Sequence, residues 1–137
     1  MLRKNAKVEL IKRVPLFSHC SKQELGLVAQ IADEIDLPAG KTLMREGERG
    51  REFFILVDGD AEVRKGNRKV NTMGGGDFFG EIALVSQRPR TATVTTTSPV
   101  RALVVTEQAF RSLLGRTPDV QRKVLQALAD RVAADSI

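Results

Sequence analysis

Phe78-Phe79-Gly80-Glu81-Ile82-Ala83-Leu84, followed closely by Arg88-Pro89-Arg90-Thr91-Ala92-Thr93-Val94, is the stretch from which the rest of the chain can be read. It holds a glycine-led helical turn, a carboxylate and an arginine. A buried phosphodiester monoanion needs charge neutralisation and several donors, because stripping water from phosphate without compensation is very costly. Arg90 offers a fixed positive charge and a planar fork that meets two phosphate oxygens at once. A turn beginning at Gly80 offers unpaired backbone N–H groups and the positive end of a helix dipole. Glycine there lets the backbone approach a ligand with no Cβ in the way. Glu81 would repel a phosphate unless it has another task, and a ribose hydroxyl donating to it supplies one. An acidic side chain serves a ribose 2′-OH in the same way in dinucleotide sites. Arg90 and Glu81 together select a ligand whose phosphate and free 2′-OH lie close together, as in a 3′,5′-cyclic ribonucleotide.

Outward from this stretch the pattern is that of strands, from about Glu34 to Val105. Glycines recur at Gly40, Gly47, Gly50, Gly59, Gly66 and Gly74–Gly76, with short β-rich segments between them. Phe53–Val57 is an apolar run, Ala61 and Val63 alternate with charge, and Val100, Ala102 and Val104 alternate with Arg101 and Leu103. Gly66-Asn67 between two such runs is a two-residue hairpin signal. Many short strands with closely spaced turns predict a mainly β fold, an antiparallel sandwich or jelly roll. Gly80–Leu84 interrupts it, its Glu-Ile-Ala-Leu composition suiting a short helix better than a strand.

Both ends read as helical. In residues 5–32, Val8, Ile11 and Val14 share one face and Pro15 stops the segment. Ser21 with Glu24 three residues on forms a capping box, followed by Leu25, Val28, Ile31 and Ala32 on a second helix face. Near the end, Thr106 caps a segment with Phe110, Leu113 and Leu114 inward, closed by Gly115. Thr117, Pro118 and Asp119 then open a longer helix. Its apolar stripe is Val120, Val124, Leu125, Leu128, Ala129 and Val132.

With 137 residues, 42% hydrophobic and 28% charged, the chain has the length and composition of one soluble domain. No stretch approaches the ~20 apolar residues needed to span a bilayer, and the start has no apolar run like that of a secretion signal. The single cysteine, Cys20, has no internal disulfide partner, which fits a reducing, cytoplasmic setting. The net charge of +5 is scattered, over Arg3, Lys4, Lys7, Lys12 and Arg13 and again over Arg64, Lys65, Arg68 and Lys69. Trp and Tyr are absent and most of the Phe residues sit in apolar runs, so stacking aromatics for bases are lacking. A solvated basic surface is favoured over direct nucleic-acid binding.

Gly80-Glu81-Ile82-Ala83-Leu84 and Arg90-Thr91-Ala92-Thr93-Val94, with Arg90 ten residues after Gly80, resemble the phosphate-binding cassette of the cyclic nucleotide-binding domain family. That family includes regulatory subunits of cAMP-dependent kinase, catabolite-activator regulators and cyclic nucleotide-gated channels. Val14-Pro15-Leu16-Phe17 resembles its opening segment, and Gly47, Gly59 and Gly76 sit where its roll turns. The resemblance covers nearly the whole chain and implies a single domain over 1–137. N-terminal helices would occupy 1–33, a β-roll 34–105 with its cassette at 79–92, and C-terminal helices 106–137.

By this resemblance Arg90 would bind the equatorial phosphate, helped by the backbone N–H groups of Ala83 and Ala92, within a cassette that includes Phe79 and Ile82. Glu81 and the Gly80 backbone would hold the ribose 2′-OH. Val63 and Met73 would line the base side, the last helix would act as a lid, and Arg131 falls where some channel relatives place a base-touching lid residue. Thr91 is left open among phosphate, a syn guanine and a strand cap. The expected ligand is cAMP, favoured over cGMP, with no other cofactor.

Rival classes find less support. Gly74–Gly76 lacks the Lys-Ser/Thr pair of a P-loop and reads as a turn. His19 and Cys20 are adjacent, with nothing nearby to complete a metal site, and no activated nucleophile is evident, so binding without turnover is expected. A ligand-independent interaction or dimerisation module of the same fold is one alternative, since the stripe of the last helix could pair two copies. A DNA-binding regulator is another, although the chain ends at Ile137 with no room for a helix-turn-helix; a longer parent protein would revive it, or a channel context. The protein effector is unknown, and no membrane partner is expected.

Overall fold

A computed structural model of the chain describes residues 2–135. The chain divides into two compact units, one formed by the segment up to Ala32 with that from Gln108 onward, the other by Asp33–Glu107.

The second unit is built from β1 (Asp33–Leu37), β2 (Thr42–Met44), β3 (Glu52–Asp58), β4 (Ala61–Lys65), β5 (Arg68–Met73), β6 (Phe78–Phe79), β7 (Thr93–Thr96) and β8 (Val100–Thr106). They form two four-stranded sheets, ordered β1-β8-β3-β6 and β2-β7-β4-β5. Every pairing is antiparallel and several join strands distant in sequence, the crossing pattern of a jelly roll. Phe54 and Leu56 of β3, Ala61 and Val63 of β4, Phe79 of β6, Val94 of β7 and Val100 and Ala102 of β8 meet in one core cluster.

Strand alternation holds only in part. Phe53, Phe54, Ile55 and Leu56 are all buried, so β3 reads as an unbroken apolar run because both of its faces are covered. On β8 the expected alternation is kept as far as Ala102, after which Leu103 and Val105 are buried as well. The Gly66-Asn67 signal is realised as expected: Lys65 pairs with Arg68 across it, and Gly66 takes φ +60°. The interruption after β6 is a single 3₁₀ turn, Glu81–Leu84, entered through Gly80 at φ +83°.

The helical unit contains α1 (Lys4–Lys12), a 3₁₀ turn (Pro15–Phe17), α2 (Lys22–Gln30), α3 (Glu107–Arg116), whose first residue belongs to the β unit, and α4 (Pro118–Asp135). Val8, Ile11 and Val14 are buried together. Pro15 does more than stop α1: it opens the 3₁₀ turn, where its missing N–H costs nothing, and this buries Leu16 and Phe17. Phe17 meets Phe110 edge-on, the ring centroids 5.8 Å apart. Both halves of the capping box form, Glu24 N donating to Ser21 Oγ at 3.2 Å and Ser21 N to Glu24 Oε1 at 2.7 Å.

Two expectations for this unit are corrected. Gly115 does not close α3, which runs through it to Arg116; the break falls at Thr117-Pro118, where proline fits a first helical position. The stripe of α4 is also two faces. Val120 and Val124 are buried together with Ala127, whereas Leu125 and Val132 are 60% and 67% exposed. The last two residues of the range 106–137 lie outside the described residues. Among the described residues, no helix is long and apolar enough to cross a membrane.

Candidate functional site

Arg90 is held by two short segments of the β unit that run side by side. Gly47 N donates to Arg90 O at 2.8 Å, Arg90 N donates to Glu48 O at 2.7 Å, and Arg49 faces Pro89 in an antiparallel bridge. Beyond this ribbon the Arg90 guanidinium turns back over the chain. Its Nη2 donates to Glu52 O at 2.5 Å and its Nη1 lies 3.5 Å from Gly80 O. The other N–H groups of its five-donor fork are available to a ligand.

The guanidinium lies between two glycines. A Cβ at Gly50 would stand 2.6 Å from Arg90 Cζ. One at Gly80 would come closer still to Nη1, and would also sit 3.0 Å from Glu52 O, on a backbone whose φ of +83° few L-residues adopt. Side chains at either position would displace Arg90. Burial of this half-buried group lowers its proton affinity, and the charge of Glu52 acts in the opposite sense. An arginine stays charged through such a shift, so the site presents a partly desolvated, tethered cation.

The cation faces a cavity of about 310 Å³, lined by Met44, Gly80, Glu81, Ile82, Ala83, Ser86, Arg88, Pro89, Arg90 and Thr91. That volume is at the lower end of the ~300–1,000 Å³ typical of small-molecule sites. Gly80, Glu81, Ile82, Ala83, Arg90 and Thr91, all singled out from the sequence, are thus brought together around one space. Ser86, Arg88, Pro89 and Met44 were not. Arg88 and Pro89 belong to the quoted stretch and Ser86 to the gap within it, and the three come into the wall because residues 86–89 run as an irregular segment between the 3₁₀ turn and β7. Met44 arrives from β2 through its pairing with Val94, which no local signal announces.

The remaining sequence candidates sit elsewhere. Val63, Phe79 and Ala92 are buried in the core cluster of the roll and Met73 packs against it; none of the four lines the cavity. Arg131 is a half-buried residue of α4, in the helical unit. The helix-dipole reading of Gly80 also changes. A four-residue 3₁₀ turn carries little macrodipole, and its Ala83 N–H already donates to Gly80 O at 3.0 Å. What glycine supplies at this position is room for Arg90.

The loop that seats Arg90 is also anchored to Glu107. Arg49 Nη2 donates to both carboxylate oxygens of Glu107, at 3.0 and 3.2 Å, and Glu107 N donates to Arg51 O at 2.8 Å. Glu107 is a buried charged residue, 8% exposed. Sequence reading passed over Gly50, Arg49 and Glu107; the glycine counted as one more turn, and the ion pair spans residues far apart in the chain.

The His19-Cys20 pair is occupied differently. His19 Nε2 lies 2.5 Å from Asp130 Oδ2. Burial, and then the charge of Glu24, push the Cys20 thiol up to about 11, which leaves little thiolate for nucleophilic or metal chemistry. Among the described residues no group of three or more His, Cys, Asp or Glu side chains is placed to hold a metal ion.

Comparison with known proteins gives a consistent picture. The model of the cyclic nucleotide-binding domain matches residues 34–117. The chain is 39% identical over 131 residues to a cAMP-dependent protein kinase regulatory subunit of Mycosarcoma maydis, an alignment that takes in 88% of this chain and 25% of that protein. It therefore spans about a quarter of that relative's length. The N-terminal domain of a transcriptional regulator from Streptomyces coelicolor superposes with a TM-score of 0.85 over 93% of this chain and 94% of its own, at 24% identity, a likeness of fold. The regulatory domain of Toxoplasma gondii PKA, crystallised with cAMP, superposes with a TM-score of 0.71 at 26% identity, over 98% of this chain and 51% of its own.

Proposed function

The chain belongs to the cyclic nucleotide-binding domain family, and from that premise we propose that it binds a 3′,5′-cyclic nucleotide, cAMP in preference to cGMP, as a non-catalytic sensor whose C-terminal helix responds to the ligand. The observation that carries this reading is the seating of Arg90: a partly desolvated guanidinium wedged between Gly50 and Gly80 at the wall of a cavity that also bears Glu81. A cation held this way loses little side-chain entropy on binding, so its fork is ready for two phosphate oxygens. Glu81 then accepts from the ribose 2′-OH, and Ile82 and Met44 offer apolar surface to the rest of the ligand. A phosphate that takes the Ala83 N–H exchanges it for the bond now made to Gly80 O. The kinase regulatory relative and the cAMP-bound neighbour support the choice of ligand.

A ligand moves a helix only through differential affinity for two states. Residues 47–52 contact Arg90 through Gly47, Glu48 and Glu52, and Glu107, the first residue of α3, through Arg49 and Arg51, which is the physical route this proposal uses. Isothermal titration with cAMP and cGMP tests binding, and hydrogen exchange with and without ligand tests the response. Heat from cAMP at lower concentration than from cGMP, with altered protection in α3 and α4, is expected. No heat from either nucleotide overturns the reading.

Pairing of two copies through α4 is a second reading, favoured by the outward Leu125 and Val132. Sedimentation velocity that finds only monomer, with and without cAMP, removes it.

A further inference from the structure

We propose that Arg88 is a second ligand-contacting cation, closing on the phosphate from the same wall as the tethered Arg90; this rests on the cyclic-nucleotide reading above.

Three observations lead there. Arg88 and Arg90 both line the 310 Å³ cavity and flank Pro89, which is bridged to Arg49. A residue before proline is held in extended backbone, and in extended chain side chains two residues apart project to the same side. Pro89 therefore aligns the two arginines toward one space.

Charge supplies the second argument. The charged residues of the cavity wall are Glu81, Arg88 and Arg90. Glu81 and Arg90 cancel one another, so a phosphodiester monoanion entering a site made of these two alone would bring an uncompensated negative charge into a half-buried space. Arg88 leaves the wall with one positive charge in excess, the complement of that ligand.

Availability is the third. Arg90 already donates to Glu52 O and reaches Gly80 O. Arg88 is exposed, and among the described residues it makes no hydrogen bond or ion pair. The two cations thus divide the work. Arg90 is preorganised and fixes geometry, whereas Arg88 swings in, raises the local positive potential and steers the anion toward the cavity.

The test is titration calorimetry with cAMP over a series of KCl concentrations, on the wild-type chain, Arg88→Ala and Arg88→Lys. Because Arg88 is exposed, all three should melt alike, so that affinity reports on contact. Arg88→Ala is expected to weaken cAMP by roughly three- to tenfold, between an exposed ion pair and a charged hydrogen bond, and to flatten the dependence of affinity on salt. Arg88→Lys should recover most of the affinity and all of the salt dependence. A wild-type chain that binds cAMP while Arg88→Ala matches it in affinity and salt dependence overturns the role of Arg88 and leaves the cyclic-nucleotide reading standing. A wild-type chain that binds neither cAMP nor cGMP overturns both.

Discussion

Gly66 and Gly80 each lead a tight turn of the β unit with a positive φ, +60° and +83°, yet a methyl group added to each would meet very different surroundings. At Gly66 it would point into open space; at Gly80 it would strike the Arg90 guanidinium and stand 3.0 Å from Glu52 O. The first glycine answers a local demand, since a two-residue hairpin needs a left-handed residue to reverse the strands. The second answers a demand from residues far away in the chain, because the site needs its backbone flush against a charged side chain. Two glycines alike in conformation are therefore unlike in consequence. One serves chain reversal and the other makes room for Arg90.

The largest effect expected is that of Arg90→Ala. It removes both the charge and the fork, and should weaken cAMP by at least about 100-fold, or about 3 kcal/mol, measured by calorimetry. An unchanged dissociation constant would detach the Gly80 region from function altogether. Gly80→Ala comes next, combining about 1–2 kcal/mol of left-handed strain with displacement of Arg90, so that affinity should drop by roughly tenfold or more. Gly50→Ala should act the same way without the strain. Gly66→Ala bears the strain alone, and should lower the urea midpoint while cAMP affinity stays at the wild-type value. Equal losses of affinity for Gly66→Ala and Gly80→Ala would erase the distinction between the two turns.

Arg49→Ala removes the two charged hydrogen bonds it donates to the buried Glu107 carboxylate and should cost about 1–2 kcal/mol in urea unfolding. The double variant with Glu107→Ala should lose less than the sum of the two singles. Because the same loop seats Arg90, a modest loss of cAMP affinity should accompany it. The smallest effect is expected for Leu125→Ser, within about 0.5 kcal/mol because Leu125 is largely exposed. Val124→Ala, one residue away on the buried face, should cost several times as much.

The features read correctly from the sequence are those whose cause lies within a few residues. The Ser21–Glu24 capping box, the Gly66-Asn67 hairpin and the Gly80–Leu84 turn each rest on local hydrogen bonds or backbone preference. The cassette was visible for the same reason, since its glycine, carboxylate and arginine share one short segment. What went unread is non-local. Gly50 looked like any turn glycine until Arg90 was laid across it. Met44 reached the cavity through sheet pairing, and Arg49 found Glu107, 58 positions along the chain. On α4, helical periodicity grouped Leu125 with Val124, although packing separates them.

Residue order alone was enough for the class of fold, the family and the local grouping of Glu81 with Arg90, because hydrophobic period, turn chemistry and charge are properties of neighbouring residues. Which cation is clamped and which is left at liberty, which glycines must stay glycine, and which side of α4 meets solvent were settled by packing. Those outcomes depend on atoms brought together from distant positions, and steric exclusion and burial act only once the chain has closed on itself.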